Sequence, residues 1–512
     1  MKIFRSIFFI LLLLIVLVSS PCPPALAETN FSSAYDITYQ INSSGIALVT
    51  QNIKLTNLTT NYYPKEYIIT LNDSKIDNIQ AWDNSGPLKY DLQNNVDLTK
   101  IHVFFNNIVV GQGNTLNWTL SYQTTQIAQK NGRIWEINIP RIADTDKPST
   151  YNVALEIPHE FGQPAYIYPE TDKQFSWSIP ESTQGITMAF GDWQGYKFGL
   201  NYHLKNYSLI PKEETIALPP DTLYQDVIFE NISPKPQYIF NDQDNNKLAS
   251  FLLLPMQKID IKVNGFAKIF INPRYEYFQF DNKQIYANYL KSLKYWDQTK
   301  EITTLARNLK QPEEIYNFVV DKLSYDYQRI GVSIDRLGAT KALNTPDQAI
   351  CTEFTDLFIA LARAAGIPAR EIDGYAYTNN IRLQPLSLST DILHSWPEYW
   401  DNKKNIWIQV DPTWGKTSQL NYFHRFDFNH FAFVIKGLSS TNPYPAGAYK
   451  NDNLSKDILV NFTDSIPMIP SKLSIISFQK AQHNIFIFQL KLILILFAVI
   501  ISILYLFYKI MH

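Results

Sequence analysis

Residues 349–370 read AICTEFTDLFIALARAAGIPAR, and this stretch decides what kind of domain the C-terminal half holds. Phe354, Leu357, Phe358 and Leu361 recur at the spacing of one helical face. Gly366 stands where a left-handed residue closes a helix, and Pro368 forbids its continuation. Upstream, Asn344-Thr345-Pro346-Asp347 is turn chemistry. The pattern predicts an amphipathic helix that Cys351 opens. At a helix amino-terminus, unpaired backbone N–H groups and the macrodipole favour an anion, and the thiolate is the nucleophilic form of cysteine. An inert buried cysteine is the commoner fate of a lone thiol, so other residues must decide.

The deciding residues lie on a predicted hairpin. Ile392–Trp400 and Asn405–Asp411 have strand character and are joined by Asp401-Asn402-Lys403-Lys404. With Trp400 paired to Asn405, counting back sets Glu398 opposite Trp407, Trp396 opposite Gln409 and His394 opposite Asp411, with Cβ atoms ~5 Å apart. A slip of one residue would send His394 and Asp411 to opposite faces. The pairing supplies what an imidazole base requires, a carboxylate that fixes its tautomer and steadies the imidazolium. Taken singly, His394 reads as a structural histidine and Asp411 as a turn residue before Pro412. Taken with a helix-start thiol, the three read as a Cys351–His394–Asp411 triad. His424 and His430, further on, read as structural.

The blocks Ala349-Ile350-Cys351-Thr352-Glu353-Phe354, Leu361 to Arg370, His394-Ser395-Trp396 and Asp411-Pro412-Thr413 together resemble the transglutaminase-like superfamily, in that family's order. The resemblance covers about Gln284 to Gly437. It implies a papain-like α+β core with Cys351 as nucleophile, His394 as base and Asp411 as its orienting carboxylate. It also implies acyl transfer on a protein or peptide substrate. Water as acceptor makes a peptidase or amidase, the favoured outcome, and a lysine makes a crosslinker. The oxyanion would sit on the Cys351 backbone N–H and one further donor. No metal or organic cofactor is implied. The alternative is a non-catalytic cell-envelope binding or assembly module in which the β-rich half does the recognising.

The remaining chain is read around that domain. From residue 28 to 283, short runs such as Ile37-Thr38-Tyr39-Gln40-Ile41 alternate with Asn, Asp, Ser and Gly clusters, predicting an all-β, sandwich-like region. It is divided into a domain at 28–200 and a second β segment at 201–283. The α+β domain takes 284–437, opening with helices over Tyr286–Leu309 and Pro312–Tyr325, and a proline-bearing stalk takes 438–484. Lys2, Arg5, an apolar run and Ala25-Leu26-Ala27 read as a signal peptide over 1–27. Residues 485–508 are apolar enough to predict a single transmembrane helix. These two segments predict a single-pass cell-membrane protein with its catalytic domain on the extracytoplasmic side. The chain has two cysteines, and Cys22 would leave with the signal peptide, so Cys351 would be the lone thiol. A net charge of -2 without a Lys/Arg block excludes the electrostatic footprint of a nucleic-acid binder. Charged residues at 18% against 46% hydrophobic suit folded domains.

Overall fold

A computed structural model of the chain describes residues 30–71, 75–95, 98–140, 142, 148–171, 174–180, 182, 185–274, 282–330, 335–378, 384–386, 393–449, 456–467, 495–496 and 499–503. They divide into two units, one from residues up to 39 with 48–124 and 144–154, the other from 40–47, 125–143 and 155 onward. In the first unit, Ala47–Asn57 alternates covered and open positions, the period-2 signature of a strand with one buried face. Its sheet runs Phe31–Ile41, Ala47–Asn57, Thr115–Thr124, Ile76–Asp83 in spatial order. A three-stranded antiparallel sheet, Glu66–Leu71, Leu98–Phe104 and Lys89–Asn95, sets Ile69 opposite Ile101. Val49, Ile53, Ile101, Val103 and Leu120 are buried in this unit.

The second unit holds more β-structure and the predicted site. Gln225–Ser233, Lys258–Ile269, Gln194–Lys205 and Ile458–Phe462 form one antiparallel sheet in that order. Lys212–Leu218, Lys247–Leu253 and Tyr238–Asn241 form another. Phe198, Tyr202, Ile216, Phe251 and Val263 from these sheets belong to one apolar cluster.

Between residues 282 and 418 the described residues form six α-helices: α1 (Asn282–Tyr289), α2 (Lys300–Ala306), α3 (Pro312–Lys322), α4 (Ala339–Asn344), α5 (Cys351–Ala364) and α6 (Pro412–Ser418). They accompany a sheet of β1 (Ala369–Ala376), β2 (His394–Asp401), β3 (Ile406–Gln409) and β4 (His430–Lys436), in spatial order β3-β2-β1-β4. Tyr375 of β1 and Phe431 and Phe433 of β4 enter the apolar cluster of the preceding sheets, so the α+β part shares its core with the β part.

Several expectations are corrected. The described residues are mainly β-sheet, with the helices gathered in the α+β part, and the predicted transmembrane helix is not found among them. Among the described residues no helix is long and apolar enough to cross a membrane. Of 485–508 only residues 495, 496 and 499–503 are described, as helix. The rest of that segment, and the predicted signal peptide, lie outside the described residues. The single-pass localisation rested on that helix, and no described helix supports it. The boundary at 200/201 cuts the strand Gln194–Lys205, whose twelve residues pair continuously with Lys258–Ile269. The predicted stalk contains Ile458–Phe462, which pairs with Gln194–Lys205 and sets Val460 opposite Phe198. The helix predicted over 286–309 is split into α1 and α2. Between them Trp296 is fully buried and donates its indole N–H to Asp356 Oδ1 at 2.9 Å, and Thr299 caps α2.

Candidate active site

The first residue of α5 is Cys351, and the turn before it is clamped. Tyr325 bridges Ala349, Asp326 N–H donates to the Ala349 carbonyl at 2.8 Å, and Ser324 N–H to that of Pro346 at 2.8 Å. Glu353 reaches back to accept the Ile350 N–H at 3.0 Å, which fixes the entry angle of the helix. At the other end Gly366 takes φ 83°, and Ile367 N–H donates to the Ala362 carbonyl at 2.8 Å, the glycine closure its sequence predicts. The helix is not amphipathic on a surface, however. From Glu353 to Arg363 every residue is buried. Its polar side chains are paired inside: Asp356 accepts from Arg336 Nε at 2.9 Å, and Arg363 donates to the carbonyls of Ala369 and Gly437 at 2.9 and 2.8 Å.

Strand β2 begins at His394, which lies opposite Gly374 of β1. A Cβ on Gly374 would collide with the Phe431 carbonyl of β4, so glycine is what lets the three strands close up here. Thr355 of α5 donates its hydroxyl to the Ser395 carbonyl at 3.1 Å, tying the helix to the strand beside His394. The β2–β3 register differs from the expected one. Glu398 faces Gln409 and Trp400 faces Trp407, a shift of two residues. Asn405, expected to pair, instead turns the chain at φ 54°, while Asp401 Oδ1 accepts the N–H groups of Lys403 and Lys404 at 2.8 and 3.0 Å. The two-residue shift keeps every side chain on its face. The ladder ends at Gln409, so Asp411 leaves the strand and caps α6, its Oδ1 accepting Thr413 N–H at 2.9 Å and Trp414 N–H at 3.1 Å.

Helix capping leaves Oδ2 of Asp411 free to face His394 Nε2 at 3.0 Å, both groups fully buried. Cys351 also acts on the charge of the same ring. With Nε2 engaged by Asp411, the nitrogen left for a thiol is Nδ1, which is buried and without a hydrogen bond. Trp414 and Trp396 stack on the imidazole at 5.0 and 6.0 Å and fix its plane. Burial lowers the proton affinity of His394, but the Asp411 charge and hydrogen bond, with Cys351 beyond, outweigh it and raise the pKa to about 9. Burial pushes Asp411 the other way, and His394 and His430 hold it well below the usual carboxylate range.

Two residues were not singled out by sequence as parts of the site. His430, the first residue of β4, brings its Nε2 to 3.5 Å from Asp411 Oδ2, and its Nδ1 meets Asp427 Oδ1 at 2.6 Å. Its three-residue spacing from Asp427 was the only signal available. Tyr325 is partly buried, its hydroxyl fully so and unpartnered, and burial first, then Cys351, raises its pKa. His424, by contrast, pairs with Glu313 in an exposed contact. The ligand atoms of His394, Asp411 and His430 lie within 4.8 Å of one another, a spacing that could hold a metal ion. The carboxylates hold both rings in their protonated form, whereas a metal needs them deprotonated.

A helix-start thiol, an imidazole and its carboxylate on a mixed α and β core are the parts of a cysteine-type enzyme. Residues 297–412 match the family model of the transglutaminase-like superfamily, and that segment is a transglutaminase-like domain. No curated protein matches the chain. Among solved structures, a candidate cysteine protease from Cytophaga hutchinsonii is similar at 13% identity and TM-score 0.33, over 53% of this chain and 99% of its own. The periplasmic domain of TgpA from Pseudomonas aeruginosa is similar at 14% identity and TM-score 0.25, over 44% and 91%.

Proposed function

We propose that this protein is a cysteine enzyme that cleaves peptide or amide bonds by acyl transfer, with Cys351 as nucleophile, His394 as base and Asp411 as the residue that orients it. The reading is carried by the 3.0 Å contact between His394 Nε2 and Asp411 Oδ2, which engages one face of the imidazole and leaves Nδ1 for the thiol. Cys351 Sγ bonds to the substrate carbonyl carbon, and the carbonyl electron pair moves onto oxygen. The C–N bond then breaks, and the His394 imidazolium gives its proton to the departing amine. A thioester remains. Water attacks it, its proton passes to His394, and the C–S bond breaks to return the thiolate. The oxyanion is assigned to the Cys351 backbone N–H and the Tyr325 hydroxyl. An unpartnered buried hydroxyl whose proton affinity feels the Cys351 charge is a donor available for charge that develops in the reaction.

Hydrolysis is favoured over amine transfer because water is always at hand as acceptor. Incubating the protein with a peptide library and a primary-amine probe, read by mass spectrometry, tests both. Cleaved peptides that vanish with Cys351→Ala are expected. Probe incorporation without cleavage would replace the peptidase reading by a crosslinking one. Cleavage that persists in Cys351→Ala would remove Cys351 from the chemistry.

A further inference from the structure

Asp411 is a carboxylate with two imidazoles, and the proposed reaction uses only one. The second, His430, is held from behind rather than by Asp411. Asp427 Oδ1 meets its Nδ1 at 2.6 Å, and Trp414, Phe426 and Trp396 pack its ring at 4.4, 4.4 and 4.8 Å. Asp427 is itself fixed, accepting Asn429 N–H at 2.8 Å on Oδ1 and the Tyr422 hydroxyl at 3.2 Å on Oδ2. So clamped, His430 aims Nε2 at Asp411 Oδ2 from 3.5 Å, fully buried and without an aligned hydrogen bond. The contact makes His430 a second imidazole facing the carboxylate oxygen that already holds His394.

We propose that His430, anchored by Asp427, is a positioning residue that shares the Asp411 carboxylate with His394 and so limits how tightly Asp411 holds the base. The site then runs on as an alternating row, Cys351–His394–Asp411–His430–Asp427. The inference rests on the reading of Cys351 and His394 as nucleophile and base. Its physics is that of two like charges bidding for one carboxylate. The two rings stand 5.5 Å apart between centroids. With His430 charged, His394 gives up its proton more readily, as the leaving amine requires. Other groups face this row. Tyr422 and Arg425 flank Asp427, and Tyr196 lies within its field. Glu136 reaches it through Asn429, whose side-chain amide donates to Glu136 Oε1 at 2.8 Å. None of these touches Asp411 Oδ2, where the two imidazoles meet.

The test is the pH dependence of iodoacetamide alkylation, read at the Cys351 peptide by mass spectrometry in the full chain, for wild type, His430→Gln and Asp427→Asn. A thiol paired with an imidazolium gives two inflections, the upper set by His394. An unpaired thiol gives a single rise. His430→Gln should move the upper inflection to higher pH by about one unit, the size expected for removing a charge at this distance in a partly screened interior, and Asp427→Asn, which discharges His430 but also removes an anion, should move it the same way by less. A purely structural role would change rates or melting without moving the inflection, and an unmoved or lowered inflection overturns the proposal while leaving Cys351 and His394 in place. A single rise in wild type would sink the nucleophile–base reading and this proposal with it. If both variants lose cooperative melting, 13Cε1-histidine NMR of wild type decides. The two rings must then titrate as a coupled, biphasic pair, and independent single-step titrations overturn the sharing.

Discussion

The Tyr325 hydroxyl lies among buried atoms with no hydrogen bond, within the electrostatic reach of Cys351. A group in that state costs stability, and only a use in the reaction offsets the cost. Tyr325→Phe should therefore lower kcat about 10²- to 10³-fold, the effect of losing one oxyanion donor. It should leave the melting temperature unchanged or raise it by the equivalent of up to ~1 kcal/mol. Steady-state kinetics with any cleaved peptide and a thermal melt check it. Lower stability with unchanged kcat would assign the hydroxyl to the fold instead.

Between elements, the approach of β1 to β2 and β4 at Gly374 sets where His394 stands. Gly374→Ala places a methyl against the Phe431 carbonyl, which backbone can relieve only by parting the strands. Denaturant unfolding should show a loss of ~1–3 kcal/mol or more, with activity falling alongside. A variant as stable as wild type would mean that the strands have slack.

At this scale the sequence was readable in part. The start and end of α5 were legible because Cys351, Gly366 and Pro368 punctuate locally. Its burial was not, because Glu353, Asp356 and Arg363 look like a solvent face until Arg329, Arg336 and the carbonyls of Ala369 and Gly437 are brought to them. The β2–β3 register was missed by two because Asp401 and Asn405 make a wider turn than a simple loop count allows. Asp411 still reaches His394 because a shift of two preserves the face, and the helix cap turns its carboxylate inward. His430 and Asp427 carried no pattern beyond their spacing. Their meaning depends on where β4 docks.

For the molecule as a whole, strand Ile458–Phe462 returns to cover Gln194–Lys205, joining distant parts of the chain in one sheet. A truncation after Gly437 should melt at lower temperature and self-associate, because an edge of unpaired N–H and C=O groups is left open. An unchanged melt with a monodisperse elution profile would show the strand to be dispensable. Stability should also follow the buried charges. His394 and His430 have pKa values raised from 6.5 to about 9, so their contribution is full below 6.5 and lost as pH rises through about 9. Asp411 is shifted down, so its contribution is full above 3.8 and lost as pH falls below that. Melting temperature against pH should decline from about 6.5 toward 9 and again into acid below about 4. A curve still rising between pH 7 and 9 would be incompatible with two buried imidazolium–carboxylate pairs.

The most direct measurement is intact-protein mass spectrometry during turnover of a slowly hydrolysed peptide ester, followed by mapping of the adduct. The account predicts an acyl group on Cys351, released by hydroxylamine as a thioester is, and absent from Cys351→Ala and His394→Ala. Turnover with no acyl group on Cys351, continuing in Cys351→Ala, would contradict it.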